Sequence, residues 1–573
     1  MSAQMDVNSS LSLLGSIGWY QLYVYLLSCV PVINAGVVML SLVFLSATPN
    51  HRCFVPNCDS MGLNVNFFET FVSQSIPKTL SSFVAYESCH RFKAFNDSMA
   101  RNDAKHECDI NWFTNETESC DDFVFDTNQF RSTVVTEFKK VCDKSWEMSL
   151  SQSIFYLGVL TGAFVFGVFA DRYGRRSVFM VAPILGFSTA LFSSFAPNFL
   201  MFTISSAVTA ACIAGMYQTA FIIGIEFVGG QWRVWCGNLH SALFAVGAAI
   251  LCLMAYYIRD WRELQFVIAL PIAFTLFYPW LFPESVRWQV SNGQMSKAIK
   301  TIRRAAKWNS VYIPEEYLYA SEDSHFTGNT SRQTSKSKHF GPLDILKHHI
   351  IRVWAFNLFF IWFTTSLVYY GLSFQASNIG SNIYITFGFL ALAEIPAIIL
   401  STIAMQIFGR KIVLCFLLIV GGISCIIPVF LPESYSAYIT VCAVFGKSNI
   451  AAAFSLIYVY SVEIFPTILR SSGLGMCSMS SRIGGILAPQ LIGLSVFGKS
   501  FPLLIAGLVS VVAGLLVVNL PETHNRQLPE TLEDLQFLKD GNKEVSFKLG
   551  SKQSCSRMDD KEERVKLLSD HEI

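Results

Sequence analysis

The sequence predicts an all-α membrane protein, with twelve transmembrane helices in two six-helix pseudo-repeats and a large disulfide-rich loop after the first helix. Three observations carry this. Of 573 residues, 52% are hydrophobic and only 14% are charged, whereas a soluble protein is about a quarter charged. Twelve stretches come near or exceed the roughly 20 apolar residues needed to cross a bilayer. Three short motifs recur in the same order about 237 residues apart. Disorder is excluded for most of the length, because disordered chains are poor in apolar residues. A net charge of +1 gives no reason to expect nucleic acid as a partner.

The first span reads as Val24–Thr48, behind an N-terminal segment 1–23. No Lys or Arg precedes Arg52, and the span exceeds the 7–15 apolar residues of a signal peptide, so it is read as retained. Five spans follow at about 149–170, 177–196, 199–226, 234–258 and 262–283. With the loop 49–148 they form a first bundle, 24–283. A polar central loop, 284–350, separates it from a second bundle, 351–520. The spans of that bundle fall near 351–375, 380–408, 411–431, 434–461, 472–497 and 500–520, before a charged tail, 521–573. The lipid bilayer is thus the principal partner.

Lys and Arg in short loops set orientation. Loops after even-numbered spans carry Arg172, Arg175, Arg176, Arg233, Arg410, Lys411 and Arg470, and the opposite face carries Arg259, Arg262 and Lys499. Both termini are expected in the cytoplasm. The central loop adds Arg287, Lys297, Lys300, Arg303, Arg304 and Lys307 on that side, as short amphipathic helices. The loop 49–148 is then extracellular. It holds six of the fifteen cysteines, Cys53, Cys58, Cys89, Cys108, Cys120 and Cys142, which in an oxidising compartment read as a disulfide framework with fifteen ways to pair. Asn96 and Asn115 begin sequons in the same loop and suit glycosylation. The folded loop also offers a surface for self-association into a homo-oligomer.

The repeat is internal evidence of duplication. Gly174-Arg175-Arg176 returns as Gly409-Arg410-Lys411, the pair Glu226/Arg233 as Glu463/Arg470, and Phe282-Pro283-Glu284-Ser285 as Leu520-Pro521-Glu522-Thr523, at offsets of 235, 237 and 238 residues. Parallel repeats of this kind place a substrate site midway through the membrane. Asp171, Arg172, Arg175, Arg176, Glu226, Arg233, Glu463 and Arg470 gather near one face, and the expectation is a cytoplasmic gate whose complementary charges latch one half to the other when the site faces outward.

Gly167-Val-Phe-Ala-Asp171-Arg172-Tyr-Gly174-Arg175-Arg176 resembles the loop signature of the major facilitator superfamily. The first-span exit Leu42–Cys53, the Cys-rich loop, Glu226-Phe227-Val228-Gly229, Pro283–Trp288, Tyr369-Tyr370-Gly371-Leu372, Glu463–Arg470 and Leu528–Asp534 resemble the organic cation, carnitine and organic anion transporters within it. The resemblance spans about Gly15 to Asp534. It implies the major facilitator fold and alternating access to a central cavity at the plasma membrane. The second-half loop departs from the signature, since no acid precedes Gly409 as Asp171 precedes Gly174.

Ionisable residues at membrane depth are expensive and default to functional candidates. Glu394, Lys447 and Arg482 stand out in spans eight, ten and eleven. Glu394 and Lys447 are able to neutralise each other, which leaves Arg482, whose guanidinium fork suits a carboxylate; alternatively Glu394 binds the cationic part of a zwitterion and Lys447 partners it only in the empty carrier. By resemblance, cation-selective relatives carry an acid near this point of span eleven. Carnitine-type and anion-type relatives carry Arg in a context like Ser481-Arg482-Ile483-Gly484. For an ammonium group, Tyr369, Tyr370, Trp362 and Phe374 in span seven and Tyr217 in span four are cation–π candidates. Asn34 and Gln218 are weaker polar ones.

The expected function is a secondary-active or facilitative carrier of small organic zwitterions or cations, carnitine-like in chemistry, with a coupling ion among its partners. The alternatives are an organic anion exchanger using Arg482, or a non-transporting sensor. An enzyme is not expected: His348-His349 lack ligand spacing, and no P-loop or nucleophile elbow occurs. No metal or cofactor is expected either.

Overall fold

Helices dominate because a chain in lipid must satisfy its own backbone hydrogen bonds. The computed structural model describes residues 13–529, except 16, 57, 60–66, 68–70, 79–85, 95–112, 230–231, 315–344, 346, 381, 467–468, 499 and 527–528. Among the described residues, ten helices are long and apolar enough to cross a membrane. In chain order they are α1 (Trp19–Leu45), α2 (Cys142–Tyr173), α3 (Arg175–Ser194), α4 (Phe199–Glu226), α5 (Trp232–Tyr257), α6 (Trp261–Leu281), α7 (His349–Phe374), α8 (Ile383–Phe408), α9 (Arg410–Phe430) and α10 (Ser436–Ile464). Two more helices follow, α11 (Arg470–Gly493) and α12 (Phe501–Val517). The first is diluted by Arg482 and five serines, and the second is 17 residues long.

The first helix begins at Trp19 rather than Val24. The apolar run starts later, but the preceding turn is held by side-chain bonds rather than by hydropathy. Asn309 Oδ1 accepts from the Tyr20 N–H at 3.0 Å, and Asn309 Nδ2 donates to Gln21 at 2.7 Å. In the central segment, helices Val286–Ser291 and Met295–Asn309 form. Eight is a broken helix, with Ile383–Leu392 joined to Glu394–Phe408 through Ala393.

Packing repeats between the halves. In the first half α2 lies along α4, α1 along α5 and α3 along α6. In the second, α8 lies along α10, α7 along α11 and α9 along α12. The halves meet along α2–α11 and α5–α8, two seams exchanged by the same pseudo-symmetry. Below, the end of the bundle bearing residues 49–148 is the loop end, and the opposite end is the basic end.

The loop is built on two antiparallel strand pairs, β1 (His51–Cys53) with β4 (Phe123–Phe125) and β2 (His90–Ala94) with β3 (Phe113–Ser119). Disulfides join Cys53 to Cys120 and Cys89 to Cys142, each with Cα atoms 5.7 Å apart. Cys58 is also disulfide-bonded; Cys108 and Asn96 lie outside the described residues. His51 sits beside Cys89 and Cys142, but the disulfide leaves those sulfurs no thiolate with which to ligate a metal. Arg52 and Asp59 form a buried ion pair at 2.7 Å.

Two of the basic residues on the loop end anchor this domain. Arg262 pairs with Glu137, which also accepts from the Trp261 indole at 2.7 Å, and Arg262 donates to the Ser194 and Ala196 carbonyls. Arg259 donates to the Asn128 carbonyl, and its own carbonyl accepts from the Arg131 N–H. Burial would raise the Glu137 carboxyl, but the bonds from Arg262 and Trp261 outweigh it and hold the group below its ordinary value.

Candidate functional site

Two charged constellations lie inside the helix bundle, one within the second half and one where the two halves meet. In the first, Lys447 on α10 pairs with Glu394 at the α8 break, Nζ to Oε1 at 2.8 Å, with side chains 0% and 2% exposed. The Tyr369 hydroxyl donates to Glu394 Oε2 at 3.1 Å, and Lys447 Nζ lies 4.9 Å from the Tyr369 ring centroid and 5.5 Å from that of Phe387. This cluster is sealed.

The second surrounds Arg482. Its Nε is buried without a hydrogen-bond partner, and no carboxylate among the described residues pairs with it. Tyr156, Tyr217, Tyr370 and Tyr458 lie within the electrostatic reach of its guanidinium. The Tyr156 and Tyr370 rings are 4.7 Å apart across the seam between the halves, and Phe374 stands edge-on to Tyr156 at 6.0 Å. The local sequence explains the placement. A Cβ on Gly484 would fall 2.3 Å from the Phe363 carbonyl oxygen, so only glycine lets α11 approach α7 this closely. That approach brings Arg482 beside Tyr370.

The other candidates divide. Trp362 donates to Ser461 Oγ at 2.9 Å and packs on Tyr458 at 4.3 Å, at the margin of the Arg482 cluster. Gln218 is half-buried on α4, next to Tyr217. Asn34 stands apart and has a packing role: its Nδ2 donates to the Pro271 carbonyl at 3.0 Å. The helical donor to that carbonyl, the Thr275 N–H, turns instead to Ala273 and Ile272. Tyr156, Tyr458 and Phe387 escape sequence reading, since with 14% aromatic residues no spacing marks them. His240 is a further ionisable group at membrane depth that the sequence reading passes over. It is fully buried on α5 between Ser28 Oγ at 2.9 Å and the Cys236 carbonyl at 3.0 Å.

The gate residues are expected to pair across the halves when the site faces outward; in this structure the described contacts of these charges lie within each half. Asp171 meets Arg175 one turn along, at 3.3 Å. Glu284 accepts from the Arg175 and Arg176 backbone N–H groups at 2.8 and 3.1 Å, and Glu522 accepts from those of Arg410 and Lys411 at 3.0 and 3.1 Å. Glu226 accepts from Ser285 Oγ, and Glu463 accepts from Thr523 Oγ1 at 2.5 Å and pairs with Arg410 at 3.1 Å. Arg172 lies over the Tyr173 ring, Arg233 reaches the Val228 carbonyl, and Arg470 Nε is buried with no partner. The physical reason is the free N–H groups at a helix start. α3 and α9 begin at the repeated Gly-Arg motif, and the nearest carboxylates cap them instead of crossing to the other half. Burial pushes the Glu284 carboxyl up, against the backbone N–H groups that hold its charged form.

Comparison with known proteins gives the lineage. Residues 81–535 match the family model "Sugar (and other) transporter". The chain is 34% identical over 533 residues to the organic cation transporter protein of Drosophila melanogaster, covering 92% of this chain and 94% of that one. It is 34% identical to human solute carrier family 22 member 13 (91% and 92% covered) and 31% identical to human organic cation/carnitine transporter 2 (93% and 94% covered). The chain belongs to solute carrier family 22, within the major facilitator superfamily. Among solved structures, the xylose transporter XylE of E. coli, in a partially occluded inward-open conformation, aligns with a TM-score of 0.57 at 13% identity, covering 89% of this chain and all of that one. This likeness establishes the major facilitator fold. This solute carrier family 22 member is thus a multi-pass membrane transporter of small organic molecules and not an enzyme.

Proposed function

We propose that the protein moves small organic zwitterions or cations of carnitine-like chemistry across the plasma membrane by alternating access, with its basic end in the cytoplasm. The observation that carries this reading is the guanidinium of Arg482, whose buried Nε has no hydrogen-bond partner and which pairs with no carboxylate among the described residues. Lys447 already neutralises Glu394, so among the described residues Arg482 is left uncompensated at membrane depth, and a substrate carboxylate supplies the missing partner through two parallel N–H···O bonds. Tyr156, Tyr217, Tyr370 and Tyr458 then face the other end of a zwitterion, where their rings attract an ammonium group. In this role Glu394 and Lys447 hold α8 against α10 rather than touch substrate. Asn115, on exposed β3, carries the extracellular glycan, as does Asn96.

A second reading, an organic anion exchanger, is favoured by the same uncompensated Arg482. Uptake of labelled carnitine, tetraethylammonium and a dicarboxylate by cells expressing the protein separates the two, each measured with and without sodium and at altered pH. Carnitine-like uptake should exceed the others, and Arg482→Ala should lower it by about a hundredfold, the cost of one charge-assisted bidentate contact, while sparing tetraethylammonium. Equal loss for both substrates would refute carboxylate recognition. Dicarboxylate uptake above carnitine would select the exchanger.

A further inference from the structure

We infer that the helix Met295–Asn309 is a docking surface for anionic lipid headgroups of the leaflet at the basic end. Between Glu284 and Glu315 the chain has six Lys and Arg and no Asp or Glu. Within the helix, Lys297, Lys300, Arg304 and Lys307 are exposed. Their spacing of three, four and three residues aligns them in one stripe. The opposite stripe, Ala298, Ile299, Ile302, Ala305 and Ala306, is buried. The cations therefore face outward on a helix that cannot roll.

Two observations point to a membrane as the partner. The helix is fastened to the start of α1: Asn309 bonds Tyr20, Gln21 and the Leu14 carbonyl, and Trp308 packs on the Tyr20 and Tyr23 rings. Large exposed aromatics, Trp19, Trp280, Trp308 and Tyr312, surround this junction. Such a girdle marks the headgroup level of a bilayer, so the cationic stripe stands beside lipid phosphates with no further partner needed to bring them near. Each basic residue at an anionic surface adds on the order of fivefold to binding. The inference adds a lipid partner to the transporter and does not depend on which substrate Arg482 receives.

The test uses the full-length protein in nanodiscs of phosphatidylcholine containing phosphatidylserine, or phosphatidylinositol 4,5-bisphosphate, at a low fraction. Lipid retained by the protein after detergent extraction is quantified. The wild type should enrich the anionic lipid, with enrichment falling as salt rises. Lys297→Gln/Lys300→Gln/Arg304→Gln/Lys307→Gln should lose it by at least tenfold. Lys297→Arg/Lys300→Arg/Lys307→Arg, which keeps the charge, should retain it. If the quadruple variant does not fold, the salt dependence of the wild type together with the arginine variant decides. No enrichment by the wild type, enrichment indifferent to salt, or undiminished retention by the quadruple variant would overturn the proposal. So would competition by a polyglutamate peptide that binds the protein more tightly than either lipid, which would assign the stripe to an acidic protein segment.

Discussion

At the scale of single residues, two of the three intramembrane charges, Glu394 and Lys447, close on each other, while Arg482 keeps a buried Nε with no partner among the described residues. Removing one partner of a buried pair strands the other in low dielectric, which costs about 3–5 kcal/mol, whereas replacing both with apolar or neutral groups is near neutral. Lys447→Ala should therefore lower the unfolding stability of the detergent-solubilised protein by about that amount, and Glu394→Gln/Lys447→Met should recover most of it. A double variant as unstable as the single one would mean that the pair is not self-compensating. The three charges were legible in the sequence, because each interrupts an apolar run. What was not legible is which two of them pair, since that depends on how α8 packs against α10. Tyr156 and Tyr458 were invisible for the opposite reason: nothing in their spans distinguishes them from the other aromatic residues.

At the scale of elements, the repeated motifs have one local explanation. Gly174 and Gly409 have φ of +100° and +90° with extended ψ of 154° and 167°, a region essentially reserved for glycine. A Cβ there would come within 2.4 Å of Glu284 Oε2 or 2.7 Å of Glu522 Oε2. The glycine, the two N–H groups after it and a carboxylate more than a hundred residues away thus form one unit, and it occurs twice. This is why the offsets agree so closely; in this structure each acid returns to its own bundle, which sequence separation alone does not say. Gly409→Ala should destabilise by about 1–3 kcal/mol from backbone strain, with a further ~1–2 kcal/mol from weakened carboxylate bonds. In a Glu522→Ala background the second part should vanish, leaving strain alone. Full additivity in thermal unfolding of the four proteins would show that the glycine and the carboxylate act independently.

At the scale of the whole molecule, the fold class, the duplication and the large loop were readable from hydropathy, motif order and cysteine clustering, because these depend on composition over long windows. The seams between halves were not, because they are made by small polar groups inside apolar helices. Toward the loop end, Ser153 Oγ donates to the Ile486 carbonyl at 2.7 Å and accepts from Gln490 at 3.1 Å. Toward the basic end, Asn238 on α5 donates to Thr402 Oγ1 on α8 at 2.9 Å and accepts from Ser455 Oγ on α10 at 2.7 Å. Asn238 lies six residues, about 9 Å, along α5 from the basic end, where α5 meets α8. In the proposed alternating access, opening that end separates these groups while opening the other end leaves them intact, so they would bias the balance between the two states. Hydrogen bonds between membrane helices average about 0.6 kcal/mol, and losing two should favour opening at the basic end by about 1.2 kcal/mol, or roughly sevenfold. With the native free cysteines replaced and a cysteine placed at Tyr458, which contacts Phe221 across the halves, Asn238→Ala should raise thiol labelling from the basic side by about that factor and lower access from the loop side. An unchanged labelling ratio would remove Asn238 from the gate and leave the seam there to apolar packing alone.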